Sequence, residues 1–196
     1  MTDPVSDNAL DVIFRQARTY NNWEDRGVSE TLLQAVYDLA RMGPTSANCS
    51  PARFVFVTSP EGKARLLPHV SEGNKKKTET APCCVIIGQD LEFYEQLPKL
   101  FPHTDAKAWF VGSEALTEET AFRNASLQGA YLMLAARSLG LDCGPMSGFN
   151  AQGVDEAFFS GTKVRSNFLC NIGYGTDEGL FPRSPRLDFE EACQIV

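Results

Sequence analysis

A chain of 196 residues, 43% hydrophobic and 22% charged, has the make-up of one globular domain spanning residues 1–196 that buries about 70% of its unfolded surface. A net charge of −7 leaves no broadly basic face, which argues against nucleic acid, and the run Lys75-Lys76-Lys77 is too short to reverse that. No apolar stretch approaches the roughly 20 residues of a spanning helix. The polar, acidic start Met1-Thr2-Asp3-Pro4 is unlike a signal or transit peptide, so a cytoplasmic protein without membrane partners is expected.

In chain order, Ser6 caps a first helix with Leu10, Ile13, Phe14 and Ala17 at helical spacing. Ser29 caps a second, with Leu32, Val36, Leu39 and Ala40 on one face and Gly43 as its stop. A strand at Phe54–Val57, a short helix near Glu61–Leu67 and a polar Lys-rich segment follow. Cys83–Ile87 is continuously apolar, hence a strand buried on both faces. Residues 90–115 read as irregular and aromatic, with Phe93, Tyr94, Phe101, Trp109 and Phe110 broken by prolines. The longest helix is expected over about Thr117–Leu139. Ala121, Ala125 and Gly129 form a small-residue stripe on it, and a glycine inside a helix costs about 1 kcal/mol. Close approach of a second backbone would compensate, either within the chain or across a two-fold axis. A strand at Leu141–Cys143, a helix near Ala151–Phe159, a strand at Asn167–Ile172 and a short C-terminal helix capped by Asp188 with Glu191 complete the reading. The irregular alternation favours an α+β fold over a doubly wound sheet.

The six cysteines lie at 49, 83, 84, 143, 170 and 193, none in a Cys-x-x-Cys pair, and His69 and His103 are far apart in sequence. Neither a zinc site nor disulfides are expected. Cys49 has no evident histidine partner and is not read as a nucleophile. No Gly-x-Gly-x-x-Gly occurs, so a resident dinucleotide is unsupported.

Three polar segments stand out. Gly43-Pro44-Thr45-Ser46-Ala47-Asn48-Cys49-Ser50-Pro51 offers short donors and acceptors on a loop stiffened by two prolines. Either a ligand or a polar helix exit accounts for it. Gly144-Pro145-Met146-Ser147-Gly148-Phe149 lets bare backbone approach a flat ligand, though any strand-to-helix turn also uses Gly and Pro. Phe181-Pro182-Arg183-Ser184-Pro185-Arg186 suits phosphate, which guanidinium binds bidentately, or is an exposed charged tail. Arg18-Thr19-Tyr20-Asn21-Asn22-Trp23 repeats that mixture at the end of the first helix.

With Asn74 and Lys77, these segments in this order resemble the FMN-dependent nitroreductase family over nearly the whole chain. In detail, Arg-Thr-x-Asn-x-Trp, Gly-Pro-Thr-Ser-Ala-Asn-Cys-Ser-Pro and Gly-Pro-Met-Ser-Gly-Phe look like the malonic semialdehyde reductase branch of pyrimidine catabolism. The resemblance implies a mainly antiparallel central sheet flanked by helices, in an intertwined homodimer with a swapped C-terminal arm and FMN at the dimer interface. Arg18, Thr19, Arg183, Ser184 and Arg186 would then serve the phosphate and ribityl end. Pro44, Thr45, Ser46 and Asn48 would line the flavin, partly from the other chain. Asn74 and Lys77 would address the polar edge of the ring. The Gly148 N–H, flanked by Pro145, Met146 and Ser147, would face N5, which relays hydride from transient NADPH or NADH to a small aldehyde.

Two departures from the family pattern matter. Asn21 stands where a basic residue is common, which shifts electrostatic stabilisation onto Lys77. Ser147 replaces a glutamate beside N5, which relieves repulsion against an anionic aldehyde. The segment 90–115 reads as a lid, with Lys99, His103 or Lys107 as candidate cations for a substrate carboxylate. A general NAD(P)H nitro or quinone reductase and a non-catalytic flavin-binding module are the competing expectations.

Overall fold

The computed structural model describes residues 3–196. Four antiparallel strands form one sheet in the order β1-β2-β4-β3: β1 Ala52–Val57, β2 Cys83–Asp90, β3 Asp142–Met146 and β4 Val164–Gly173. The architecture is α+β, and the strand at 83–87 is buried on both faces, each of its residues having no exposed surface. Beyond β3, Thr19 bridges Cys143 in parallel and the Tyr20 N–H donates to Cys143 O at 3.1 Å, so residues 19–20 extend that edge.

Local chemistry sets most of the helices. Ser6 and Ser29 accept from the N–H groups of Ala9 and Leu32, capping α1 (Asp7–Leu10) and α2 (Glu30–Ala40). The first helix changes hydrogen-bond pattern at once, running on as a π-helical turn over Asp11–Arg15. In α2 the fully buried face is Leu33, Val36 and Ala40. Leu39, expected inside, is 47% exposed. Helix α3 spans Pro60–Leu66. The Lys-rich segment after it forms α4 (Glu72–Thr80), whose one fully buried residue is Thr78.

The aromatic segment is more ordered than its sequence suggests. Phe93, Leu97, Ala106 and Phe110 form a small core with Cys49 and Ala121, and α5 (Leu97–Leu100) lies within it. Helix α6 runs over Glu114–Ser138. Its small stripe faces the chain's own sheet: a Cβ on Gly129 would sit 2.5 Å from Phe168 Cζ and 3.5 Å from Ile87 Cγ2. The close neighbour is therefore an aromatic side chain of the same chain, not a second helix backbone. Helix α7 (Ala151–Phe158) returns the chain to β4, and a capping box of Asp188 and Glu191 closes α8 (Phe189–Ala192). Among the described residues no helix is long and apolar enough to cross a membrane.

Candidate functional site

Four separate stretches meet along the β3 edge of the sheet. The 18–23 segment lies against β3 so closely that a Cβ on Gly144 would come within 2.6 Å of the Tyr20 carbonyl oxygen. Only glycine lets the two backbones meet there. Trp23 Nε1–H donates to the Lys77 carbonyl at 3.0 Å, pinning α4 to this segment. The buried pair Asn171 and Thr78, 3.3 Å apart, fastens the same helix to β4. Lys77 is thereby held with its ammonium 3.2 Å from Asn21 Oδ1. Burial lowers the Lys77 pKa below the ordinary lysine value, and no carboxylate lies within ion-pair distance among the described residues.

One turn nearer the start of α4, Asn74 Nδ2 donates to the Gly148 carbonyl at 3.0 Å, and the Ser71 N–H donates to the same oxygen at 3.0 Å. The Phe149 N–H donates to Ser147 O at 3.1 Å, fixing the plane of the 147–148 peptide. The Gly148 N–H of that peptide has no acceptor among the described residues. Ser147 is exposed and Pro145 half-buried. Met146 is different: its side chain is 7% exposed and packs in the core, with Thr78 Oγ1 3.6 Å from its sulfur.

At the other end of the groove a cavity of about 490 Å³ is lined by Arg18, Thr19, Asn21, Arg183, Ser184 and Arg186, together with Arg137 of α6. Arg18 donates to the Phe181 carbonyl. Arg183 donates to the carbonyls of Arg15 and Ala17, both at 2.8 Å. The 181–186 arm is thus fastened to the first helix of its own chain. No carboxylate lies within 4.0 Å of these arginines among the described residues. Arg15 neutralises Asp7 and Asp11 next door, each at 3.0 Å. Arg137 was not expected here, because an arginine in the last turn of a helix ordinarily serves that helix's own carbonyls.

The fifth segment lies elsewhere in the protomer. The Ser46 N–H donates to Asn124 Oδ1 at 2.9 Å, Thr45 Oγ1 accepts from the Ser50 N–H, and Asn48 Nδ2 donates to the Leu100 carbonyl at 2.9 Å. Asn124 and Arg137 are thirteen residues apart on α6, about 20 Å along its axis. Ser46 and Asn48 therefore stand well apart from the arginine cavity of their own chain, while Pro44 follows Gly43, which lies against Tyr131 midway along the helix. The loop is also strained: Ala47, Asn48 and Ser50 all have positive φ, at 48°, 50° and 41°. Such backbone persists where its surroundings over-determine it, and it clusters at ligand sites.

Cys49 beneath this loop is 1% exposed, and burial pushes its thiol up to about 11, which suits packing and not nucleophilic attack. Among the candidate carboxylate anchors, Lys107 is paired with Glu95 at 2.6 Å. Lys99 and His103 are exposed, the His103 ring lying edge-on to Phe101 at 5.3 Å.

A helix-flanked antiparallel sheet with an anion cavity and an open backbone amide along one edge defines the class. The nitroreductase family profile matches residues 2–174. A Burkholderia lata protein provisionally named NADH dehydrogenase/NAD(P)H nitroreductase is 63% identical over 191 residues, covering 97% of this chain and 98% of its own. A Stenotrophomonas maltophilia protein of the same provisional name is 62% identical over the full length of both. The chain belongs to the nitroreductase family. The fold is also that of an Exiguobacterium sibiricum nitroreductase solved in complex with FMN, with a TM-score of 0.86 at 22% identity over all of both chains.

Proposed function

We propose that residues 1–196 form one FMN-binding domain of a homodimeric cytoplasmic oxidoreductase that uses NADPH or NADH to reduce a small aldehyde. Malonic semialdehyde, reduced to 3-hydroxypropionate in pyrimidine degradation, is the proposed substrate. The observation that carries the reading is the placement, along the β3 edge, of an arginine cavity without ion-paired acids and a Gly148 N–H without an acceptor among the described residues, linked through Asn21, Lys77 and Asn74. The donor set fits a flavin mononucleotide: guanidinium forks for a phosphate, then Thr19 and Ser184 for hydroxyls. Asn21, Asn74 and Lys77 suit the polar ring edge, and a side-chain-free Gly148 accommodates a flat ring. When bound, FMN supplies hydride exchange between the nicotinamide and the substrate carbonyl.

The chain's own residues bind, orient and tune. Lys77 supplies a fixed, partly desolvated positive charge where negative charge gathers on reduction, and the Gly148 amide donates to the reacting edge. Asn21 Oδ1 steers the Lys77 ammonium, which leaves the Asn21 amide N–H groups free to donate. Pro44, Thr45, Ser46 and Asn48 reach the groove from a second copy. Two features support the dimer. Phe122, Leu127 and Met42 are 57%, 46% and 71% exposed, more apolar surface than water favours. The arm is docked on its own chain through Arg18 and Arg183, yet Phe181, Leu187 and Phe189 remain bare, apolar surface that a second copy would cover.

The names of the relatives favour a second reading, a general NAD(P)H nitro or quinone reductase on the same groove. Purified protein is expected to be yellow and to bleach anaerobically with NADPH. Colourless protein that takes up no FMN would end both readings, and a yellow protein that does not bleach would leave a binding module. Turnover of malonic semialdehyde against a nitroaromatic then separates the substrates. Ser147→Glu should lower aldehyde turnover about tenfold relative to a neutral quinone by placing like charge beside the substrate carboxylate; equal effects on both would remove the anionic aldehyde.

A further inference from the structure

We propose that Arg137 is the fourth guanidinium of a receptor for a terminal phosphomonoester, formed with Arg18, Arg183 and Arg186. The proposal rests on the FMN reading above and adds to it a residue outside the recognisable motifs. Arg137 lines the same cavity as the other three. Among the described residues its one hydrogen bond is long, Nη1 to the Ile13 carbonyl at 3.4 Å, and its buried Nε has no partner. A charged donor left unpaired away from water is costly, so the position calls for an acceptor.

The way all four are held points to the ligand's charge. Arg18 rests on the Phe181 carbonyl, Arg137 on Ile13, Arg183 on Arg15 and Ala17, and Arg186 on Ser184 and Pro185. Neutral carbonyls orient the guanidinium planes without cancelling their charge. Asp7 and Asp11 pair with Arg15. Asp142 accepts the Gly175 N–H at 2.9 Å and forms no ion pair within 4.0 Å of Arg137, although it is near enough that burial, which raises its pKa, is partly opposed by the Arg137 charge. Four like charges on a chain of net charge −7 repel one another until an anion enters. A phosphomonoester brings nearly two charges and three free oxygens on one phosphorus, whereas the pyrophosphate of FAD spreads its charge over two phosphorus atoms and carries a second bulky substituent. Riboflavin brings none.

The test uses flavin-stripped protein and its Arg137→Gln and Arg137→Lys variants, titrated with FMN and with riboflavin by fluorescence quenching. Arg137→Gln should weaken FMN roughly 10- to 100-fold and leave riboflavin unchanged, with Arg137→Lys between. Inorganic phosphate should raise the melting temperature of the stripped wild type more than that of Arg137→Gln. Equal loss of FMN and riboflavin, or no loss of FMN, would overturn the role of Arg137 while leaving FMN binding intact. Wild-type protein that binds neither flavin would overturn the cofactor reading itself. Should Arg137→Gln not fold, Arg137→Lys and the phosphate shift of the wild type decide: FMN binding at wild-type strength in the lysine variant, or no phosphate shift, would overturn it.

Discussion

Lys77→Met should slow reduction of the bound flavin by NADPH roughly 100-fold, the scale of losing one preorganised electrostatic donor. The ammonium is partly buried, steered by Asn21 Oδ1 at 3.2 Å and opposed by no acid within ion-pair distance among the described residues. Its charge is therefore fixed in place before reduction begins, and it interacts in a medium less polarisable than water. The flavin midpoint potential should fall in parallel, because the same charge stabilises the reduced form. A pH signature accompanies this. Burial lowers the Lys77 pKa from 10.5, so its ammonium loses its proton at a lower pH than an ordinary lysine would. Wild-type reduction should decline as pH rises through that point, and the Lys77→Met profile should be flat there. Stopped-flow rates and a reductive titration check both. A variant with FMN bound and unchanged rate and potential would remove Lys77 from the account.

Gly148→Ala is the second large effect. The added Cβ would lie 2.5 Å from Asn74 Nδ2 and 3.4 Å from Ser71 Oγ. The backbone itself tolerates alanine, since Gly148 is not among the positive-φ residues. Relief therefore comes from displacing the Asn74 amide, which breaks its 3.0 Å bond to the Gly148 carbonyl and shifts the neighbouring peptide, whose N–H has no acceptor among the described residues. Misplacement of about 1 Å at a reacting centre costs on the order of 100-fold. Turnover should fall by that factor while the melting temperature moves by only a few degrees. Full turnover in Gly148→Ala would show that the 147–148 peptide has no part in the chemistry.

Local hydrogen bonding was the most legible layer of the sequence. Ser6, Ser29 and the Asp188–Glu191 box announce their helices because a cap is decided within four residues. The strand at 83–87 was equally plain, being apolar on both faces. Helix α4 was not, because a helix that buries only Thr78 carries no apolar stripe. The strained turn at Ala47 and Ser50 was hidden as well, since neither residue type favours positive φ and the conformation comes from contacts with Asn124 and Leu100. In the groove, Arg18, Asn21, Lys77, Gly148 and Arg183 could be picked out by motif. Arg137 could not, because its sequence neighbours describe an ordinary helix end and its role depends on where the first helix and the arm pack. Met146 shows the converse: strand alternation turns a motif residue into the core.

The most direct measurement is a hybrid dimer. Lys77→Met disables the groove of its own protomer. Ser46→Glu adds bulk and charge to the exposed loop while keeping the Ser46 N–H bond to Asn124. With each variant inactive alone, co-expression under different tags and isolation of the mixed species should restore about half of wild-type turnover per dimer, because one groove then meets an unaltered loop from its neighbour. A mixed species as inactive as its parents, or a protein that stays monomeric with FMN bound, would contradict a site shared between two copies.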